Sequence, residues 1–231
     1  MGAVESAMDG LCRMIASGEL QPGQVLPSEA ELCDRLGVSR SSLREAQRML
    51  AVAGALTSRP GTRSFVSEMN AQQIMSGLDI VVPLLPLARY LELFPMREVL
   101  EGHAAAMAAA RMSDFQRQEL RDVAQELCES TTPERAQALD MKFHSLIFLG
   151  GGDAMITTLL ESLRRRGQDY RILELGEGRG EEIKALSDQA HQNIALAIAE
   201  RDPETAKVLT MLHLRDTKRM LEGHWPRPTP A

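Results

Sequence analysis

The sequence predicts a mainly α protein in two parts: a winged helix-turn-helix over residues 1–67 and an all-α antiparallel helical bundle over 71–223. Three observations lead there. Aromatics make up only 3% of the chain against 44% hydrophobic residues, so the core must be built from Leu, Ile, Val, Met and Ala, which suit helices better than sheets. The first 53 residues carry three blocks of helical spacing, followed by two short strand-like segments. Beyond residue 70 the pattern is helical throughout, punctuated by caps and glycines.

Val4, Met8, Leu11 and Ile15 recur at helical spacing and predict a first helix over residues 3–17. Gln21-Pro22-Gly23 is a turn. Ser28-x-x-Glu31 has the form of a capping box and opens a second helix ending near Leu36. Gly37-Val38 breaks the chain, and Ser39 caps a third helix running to about Ala53. After Gly54, Leu56–Ser58 and Arg63–Val66 flank Arg59-Pro60-Gly61-Thr62 as a small hairpin. Residues 67–70 read as the linker.

In the second part, Ser113-x-x-Gln116, Thr132-Pro133-Glu134 and Asp202-Pro203-Glu204 each put a capping side chain ahead of a helix, the last two with proline at the first helical position. Gly150-Gly151-Gly152 and the Gly176–Gly180 stretch are breaks. The pattern gives about six or seven helices, and residues 224–231, with three prolines, read as a loose tail.

Charge and cysteine usage narrow the function classes. The net charge of -6 argues against coating of nucleic acid along the whole chain. Residues 1–66 are nevertheless neutral, with 7 Arg and 7 acidic residues, and six of those arginines fall between Arg35 and Arg63. An arginine cluster in a neutral segment suggests a local phosphate-facing surface. Cys12, Cys33 and Cys128 are widely spaced with no CxxC, which fits a reducing cytoplasm and offers no thiolate metal site. The start of the chain lacks a secretory pattern, and the longest apolar run, Ile80 to Ala88, is broken by Pro83 and Pro86. A soluble cytoplasmic protein is expected, with no membrane partner.

The third helix opens Ser39-Arg40-Ser41-Ser42-Leu43-Arg44. Basic and small polar residues at a helix N-terminus suit entry into a DNA major groove. Arg40 and Arg44 share a face and can fork onto guanine edges or grip phosphates, while Leu43, Ala46 and Leu50 point toward the core. The free N–H groups of the first turn suit phosphate oxygens. An arginine pair on a surface helix is also a common solvated feature; the longer pattern tips the balance. Leu26-Pro27-Ser28-Glu29-x-Glu31-Leu32, Leu36-Gly37-Val38-Ser39-Arg40 and Leu43-Arg44-Glu45-Ala46 resemble the N-terminal domain of the GntR superfamily of transcription regulators over residues 5–67. The resemblance implies contacts to double-stranded operator DNA from Ser28, Arg35, Ser39, Arg40, Ser41, Ser42, Arg44, Arg48 and the wing backbone at Gly61. Two departures stand out: Ala30 replaces a common arginine, and the wing reads Arg63-Ser64-Phe65-Val66 where Gly-Thr-Phe-Val is usual.

In the second part, Asp140 and His144 lie four apart and project from one helix face, with His191 and His213 on the two later helices. Facing helices of a bundle can bring such groups to one interior point. Three neutral imidazoles and a carboxylate suit a divalent ion, Zn²⁺ first, with Ni²⁺, Mn²⁺ and Fe²⁺ as alternatives. Scattered histidines would give the same count. Arg97-x-x-Leu100-Glu101 before an alanine-rich helix, Asp140-x-x-Phe143-His144, His191-x-x-Ile194 and Met211-x-His213-Leu214 resemble the metal-binding subset of the FadR branch over residues 71–222. In that subset an FCD-type helical domain holds its ion with one Asp and three His, and Asp140, His144, His191 and His213 fall on those positions. His103 and His224 fall outside them. The resemblance also implies a small organic acid effector at the metal, with Arg97 as counter-ion; an ion pair with Glu101, one turn on, is the competing role. The Arg164-Arg165-Arg166 run is either a solvated face or turns one side chain inward.

The expected function is a homodimeric, effector-controlled transcription regulator, since one recognition helix reads only a half-site. A regulator for which the ion itself is the signal is the rival reading. An enzyme is not expected: no HExxH, GxSxG, P-loop or dinucleotide motif occurs.

Overall fold

The computed structural model describes residues 2–57, 64–164 and 180–224. The chain divides into two compact units, residues 1–81 and 82–231.

The first unit opens with α1 (Ala3–Ala16), α2 (Glu29–Leu36) and α3 (Arg40–Val52). The strands β1 (Leu56–Thr57) and β2 (Phe65–Val66) pair antiparallel, Leu56 opposite Val66, and Val25 bridges to Phe65. Ala7, Leu11, Met14, Leu32, Leu43, Ala46 and Leu50 form one core with Leu56 and Val66 of the strands. Ser28 accepts the Glu31 amide at 3.2 Å. The reciprocal half of the expected capping box is not made; Glu31 faces Arg35 one turn along instead. Gly37 ends α2 at φ 66°, a left-handed conformation that lets the chain turn at once into Ser39, the cap of α3. Gly61, the expected wing contact, lies outside the described residues.

Helix α4 (Ala71–Val81) belongs to this first unit, although the sequence pattern opens the second domain at residue 71. A close backbone approach shows why. Gly54 has φ +79°, and a Cβ there would stand 2.0 Å from the Gln73 carbonyl oxygen of α4. Gly54→Ala is therefore expected to destabilise the first unit by roughly 2 kcal/mol or more, combining left-handed strain with a clash against backbone. Gly37→Ala, which meets nothing within 4 Å, should cost about 1 kcal/mol from strain alone. Urea unfolding of the two variants side by side checks the order; equal midpoints would show that the approach of α4 is not held.

The second unit holds α5 (Leu87–Leu91), α6 (Phe94–Arg111), α7 (Asp114–Glu129), α8 (Pro133–Gly151), α9 (Ala154–Arg164), α10 (Gly180–Ala199) and α11 (Pro203–His224). With α4 this makes eight α-helices after residue 70 among the described residues, where the sequence pattern suggested six or seven; the five-residue α5 is too short to show a period. Ser113 and Gln116 complete a reciprocal capping box, and Thr132 and Asp202 cap α8 and α11. Of the three glycines expected to break the chain, Gly150 and Gly151 continue α8 and Gly152 alone turns it, at φ 76°. Asp153 then caps α9 through the Ile156 amide.

Helix α6 packs against α8, α9, α10 and α11. Its buried residues Gly102, Ala104, Ala105, Ala108 and Ala109 have little or no side chain, so these neighbours come close. The first turns of α6 thereby face the interior of the bundle.

Candidate functional site

Four side chains meet in the interior of the second unit. The i, i+4 spacing on α8 puts Asp140 and His144 on one face, with α10 supplying His191 and α11 His213. All four are buried. His191 Nε2 lies 3.2 Å from Asp140 Oδ1 and 3.3 Å from His144 Nε2, and His144 Nε2 lies 3.5 Å from the same carboxylate oxygen. The His213 ring stacks on His144 at 5.6 Å and meets His191 edge-on at 4.5 Å. One nitrogen from each imidazole lies within 4.8 Å of the others. Phe143 packs edge-on against both His144 and His191, holding the ring planes.

The donor set fits a divalent ion. Four-coordinate zinc with ligands at about 2.0–2.1 Å separates neighbouring donor atoms by about 3.3 Å, the spacing of the three closest atoms here. Burial lowers the His144 pKa to about 4, with the nearby Arg164 charge adding to it. Burial also holds His213 well below the usual histidine value. Both rings are thus neutral at pH 7 and offer lone pairs. Burial alone would raise the Asp140 carboxyl, but the Arg164 guanidinium beside it brings it well below the ordinary carboxylate range. It remains an anion. The Nδ1 atoms of His144 and His191 make no hydrogen bond within the usual limits; a carboxylate near such a nitrogen, as Glu101 is to His144, favours the tautomer that leaves Nε2 free to ligate.

A second layer of charge surrounds these four. Glu101 on α6 is fully buried and points Oε2 at His144 Nδ1, 3.5 Å away. Arg97 donates to Glu101 Oε1 at 2.9 Å and to the Tyr90 hydroxyl at 2.9 Å, with its guanidinium 4.5 Å from the Phe94 ring centre. Of the two roles open to Arg97, the ion pair with Glu101 is the one present. Arg164 does turn inward, donating to Glu101 Oε2 at 3.1 Å and to Asp140 Oδ2 at 2.9 Å. Arg165 and Arg166 lie outside the described residues. The inward turn had a local signal: Thr157, Leu160 and Arg164 share one buried stripe of α9. Glu101 had none beyond its spacing from Arg97. A cavity of about 370 Å³ lined by Met141, Ser145, Phe148, Glu161 and Arg164 opens beside this layer. His103 is exposed and takes no part.

In the first unit, Ser39 accepts the Ser42 amide at 3.1 Å and lies 2.9 Å from the hydroxyls of both Ser41 and Ser42. The hydroxyl array over the first turn of α3 is thus partly self-satisfied. Leu43, Ala46 and Leu50 are buried, leaving the arginines on the opposite, exposed face. Arg35 pairs with Glu19, Arg48 with Glu45 at 3.3 Å, and Arg44 with Glu29 through a two-point fork. Among the described residues, Arg40 alone of these four has no ion-pair partner and stands exposed at the helix start.

Comparison with known proteins accounts for both units. A family model described as bacterial regulatory proteins, gntR family, matches residues 3–66, and one described as the FCD domain matches residues 92–216. The Glc operon transcriptional activator of Escherichia coli (strain K12) is 30% identical over 234 residues, which cover 95% of this chain and 91% of that protein. The HTH-type transcriptional regulator LutR of Bacillus subtilis (strain 168) is 26% identical, covering 92% of this chain and 98% of its own. Among solved structures, Streptococcus agalactiae GntR matches with a TM-score of 0.60 at 28% identity, over 94% of this chain and 99% of that one.

Proposed function

This chain belongs to the gntR family of bacterial regulatory proteins and carries an FCD domain, and from that premise we propose a homodimeric regulator whose operator affinity responds to a small carboxylate bound at a metal site. Helix α3 reads the operator, with Arg40, Arg44 and the hydroxyls of Ser39, Ser41 and Ser42 toward DNA. Ser28, Arg35, Arg48 and Gly61 belong to the same proposed surface. Two-fold operators call for a two-fold protein, hence the dimer. Family membership supports a regulator over a catalyst, and a regulator of bacterial DNA works in the cytoplasm. Among the described residues no helix is long and apolar enough to cross a membrane.

A balance of buried charge carries the reading. Asp140 and Glu101 are matched by Arg97 and Arg164 in direct ion pairs, and the imidazoles of His144 and His213 are neutral. Asp140, His144, His191 and His213 would hold a divalent ion, zinc first, with nickel, manganese and iron as alternatives. When bound, the ion would supply a Lewis-acidic centre and two positive charges beyond those that the ion pairs named above, among the described residues, already match. A buried charge without a counter-charge is costly, and a small organic acid would provide that counter-charge. The cavity beside Arg164 supports access from that side. Arg97 reaches the cluster as the second counter-ion to the acid, releasing part of its hold on Glu101. Acid binding then favours one dimer arrangement over another and so changes the spacing of the two recognition helices.

A thermal-shift screen of dicarboxylates, hydroxy acids and sugar acids, with and without chelator, tests this. An acid at one hundred times its dissociation constant should stabilise the metal-loaded protein by about 2.7 kcal/mol and do nothing after chelation. Arg97→Lys, which keeps the charge against Glu101 but loses the planar fork, should blunt that rise. An undiminished rise would clear Arg97 of the role. The rival reading, with the ion as signal, wins if metal alone shifts operator affinity and no acid adds to it.

A further inference from the structure

Building on the proposed reading of DNA by α3, we infer that Glu29 is a specificity-determining residue, whose carboxylate buttresses Arg44 so that the arginine presents its end-on fork to a guanine edge. Glu29 is the first residue of α2, behind the Ser28 cap, and Arg44 lies in the second turn of α3. Arg44 donates Nε–H to Glu29 Oε1 and Nη2–H to Oε2, each at 2.9 Å. That side-on pairing occupies two of the five guanidinium N–H groups. The Nη1–H groups and the second Nη2–H stay available, and together they form the edge that matches guanine O6 and N7. Because the guanidinium is planar, holding one edge sets the plane of the other.

Energetics favour a positioning role over a stabilising one. The side chains of Arg44 and Glu29 are 61% and 38% exposed, and such a surface pair contributes little to folding. A carboxylate on a face that meets phosphates also works against general attraction to DNA. Glu29 thus lowers affinity for arbitrary duplex while orienting the one side chain that can read a base edge. The other arginines of α3 differ. Arg48 makes a single contact with Glu45 one turn away, and Arg40, though near Glu29, has no ion pair among the described residues.

Enrichment of a randomised duplex library on the full chain, E29Q, R44A and the double variant tests the inference, read out base by base. In each half-site the parent should prefer G·C at one position by about tenfold or more. R44A should lose that preference. E29Q should reduce it to about twofold at the same position, spare the other positions, and raise affinity for unselected duplex. In the R44A background, E29Q should change no base preference. The inference is overturned if E29Q keeps the full preference, if it weakens every position alike, or if R44A leaves the profile unchanged. A parent chain that enriches no sequence would overturn the underlying DNA reading as well, a result distinct from the other three.

Discussion

His191→Ala is expected to strip the protein of stoichiometric metal. His191 lies 3.2 Å from Asp140 and 3.3 Å from His144, is fully buried, and is the one residue of α10 in the imidazole cluster found among the described residues. Loss of a partner outside the ligand shell alone costs about 10–100-fold in metal affinity, so loss of a ligand should cost more. Elemental analysis should show about one ion per chain in the parent and close to none in the variant. The same change should abolish the fall in unfolding midpoint that a chelator produces in the parent, because metal binding to a folded site is itself folding free energy. That comparison holds even if removing the imidazole lowers the midpoint on its own account. His103→Ala, at an exposed position on α6, should keep both metal and chelator response. A His191→Ala protein that retained one ion per chain would remove the proposed centre.

Arg44→Ala should cost about 1–3 kcal/mol of specific operator binding, or roughly 5- to 150-fold in affinity. Part of the loss comes from the stranded Glu29 carboxylate, whose pKa its hydrogen bond from Arg44 holds below the ordinary value and which then faces DNA without a counter-charge. Arg40→Ala should behave differently. With no ion pair among the described residues to offset it, Arg40 presents a full charge at the helix start. Its removal should weaken all duplexes alike and reduce the salt slope of binding by about one. Binding titrations at several salt concentrations, on operator and on scrambled duplex, separate the two effects. Unchanged operator affinity in Arg44→Ala would show that α3 is not the reading helix.

Local features of the fold were open to inspection in the sequence. Ser39, Ser113, Thr132 and Asp202 cap helices where their spacing indicated, because a cap needs only the next three residues. Leu43, Ala46 and Leu50 face inward because helical period alone assigns them to one side. Asp140 and His144 share a face for the same reason. The assignment of α4 was less accessible. Whether residues 71–81 belong with the first unit depends on how closely Gly54 approaches Gln73, and periodicity within one helix carries no information about approach to another segment.

What the sequence by itself determined was the menu: which residues can cap, which face of each helix is apolar, and which four side chains are chemically able to hold an ion together. Tertiary structure alone decided the pairings across helices. Arg164 reaches Glu101 and Asp140, 63 and 24 residues away, and Arg44 reaches Glu29 over 15. The reason is physical: a charged side chain is placed by the helices that happen to face it, through ångström-scale distances and the cost of burying charge without a partner. Those distances are set by packing between elements, which no local spacing encodes.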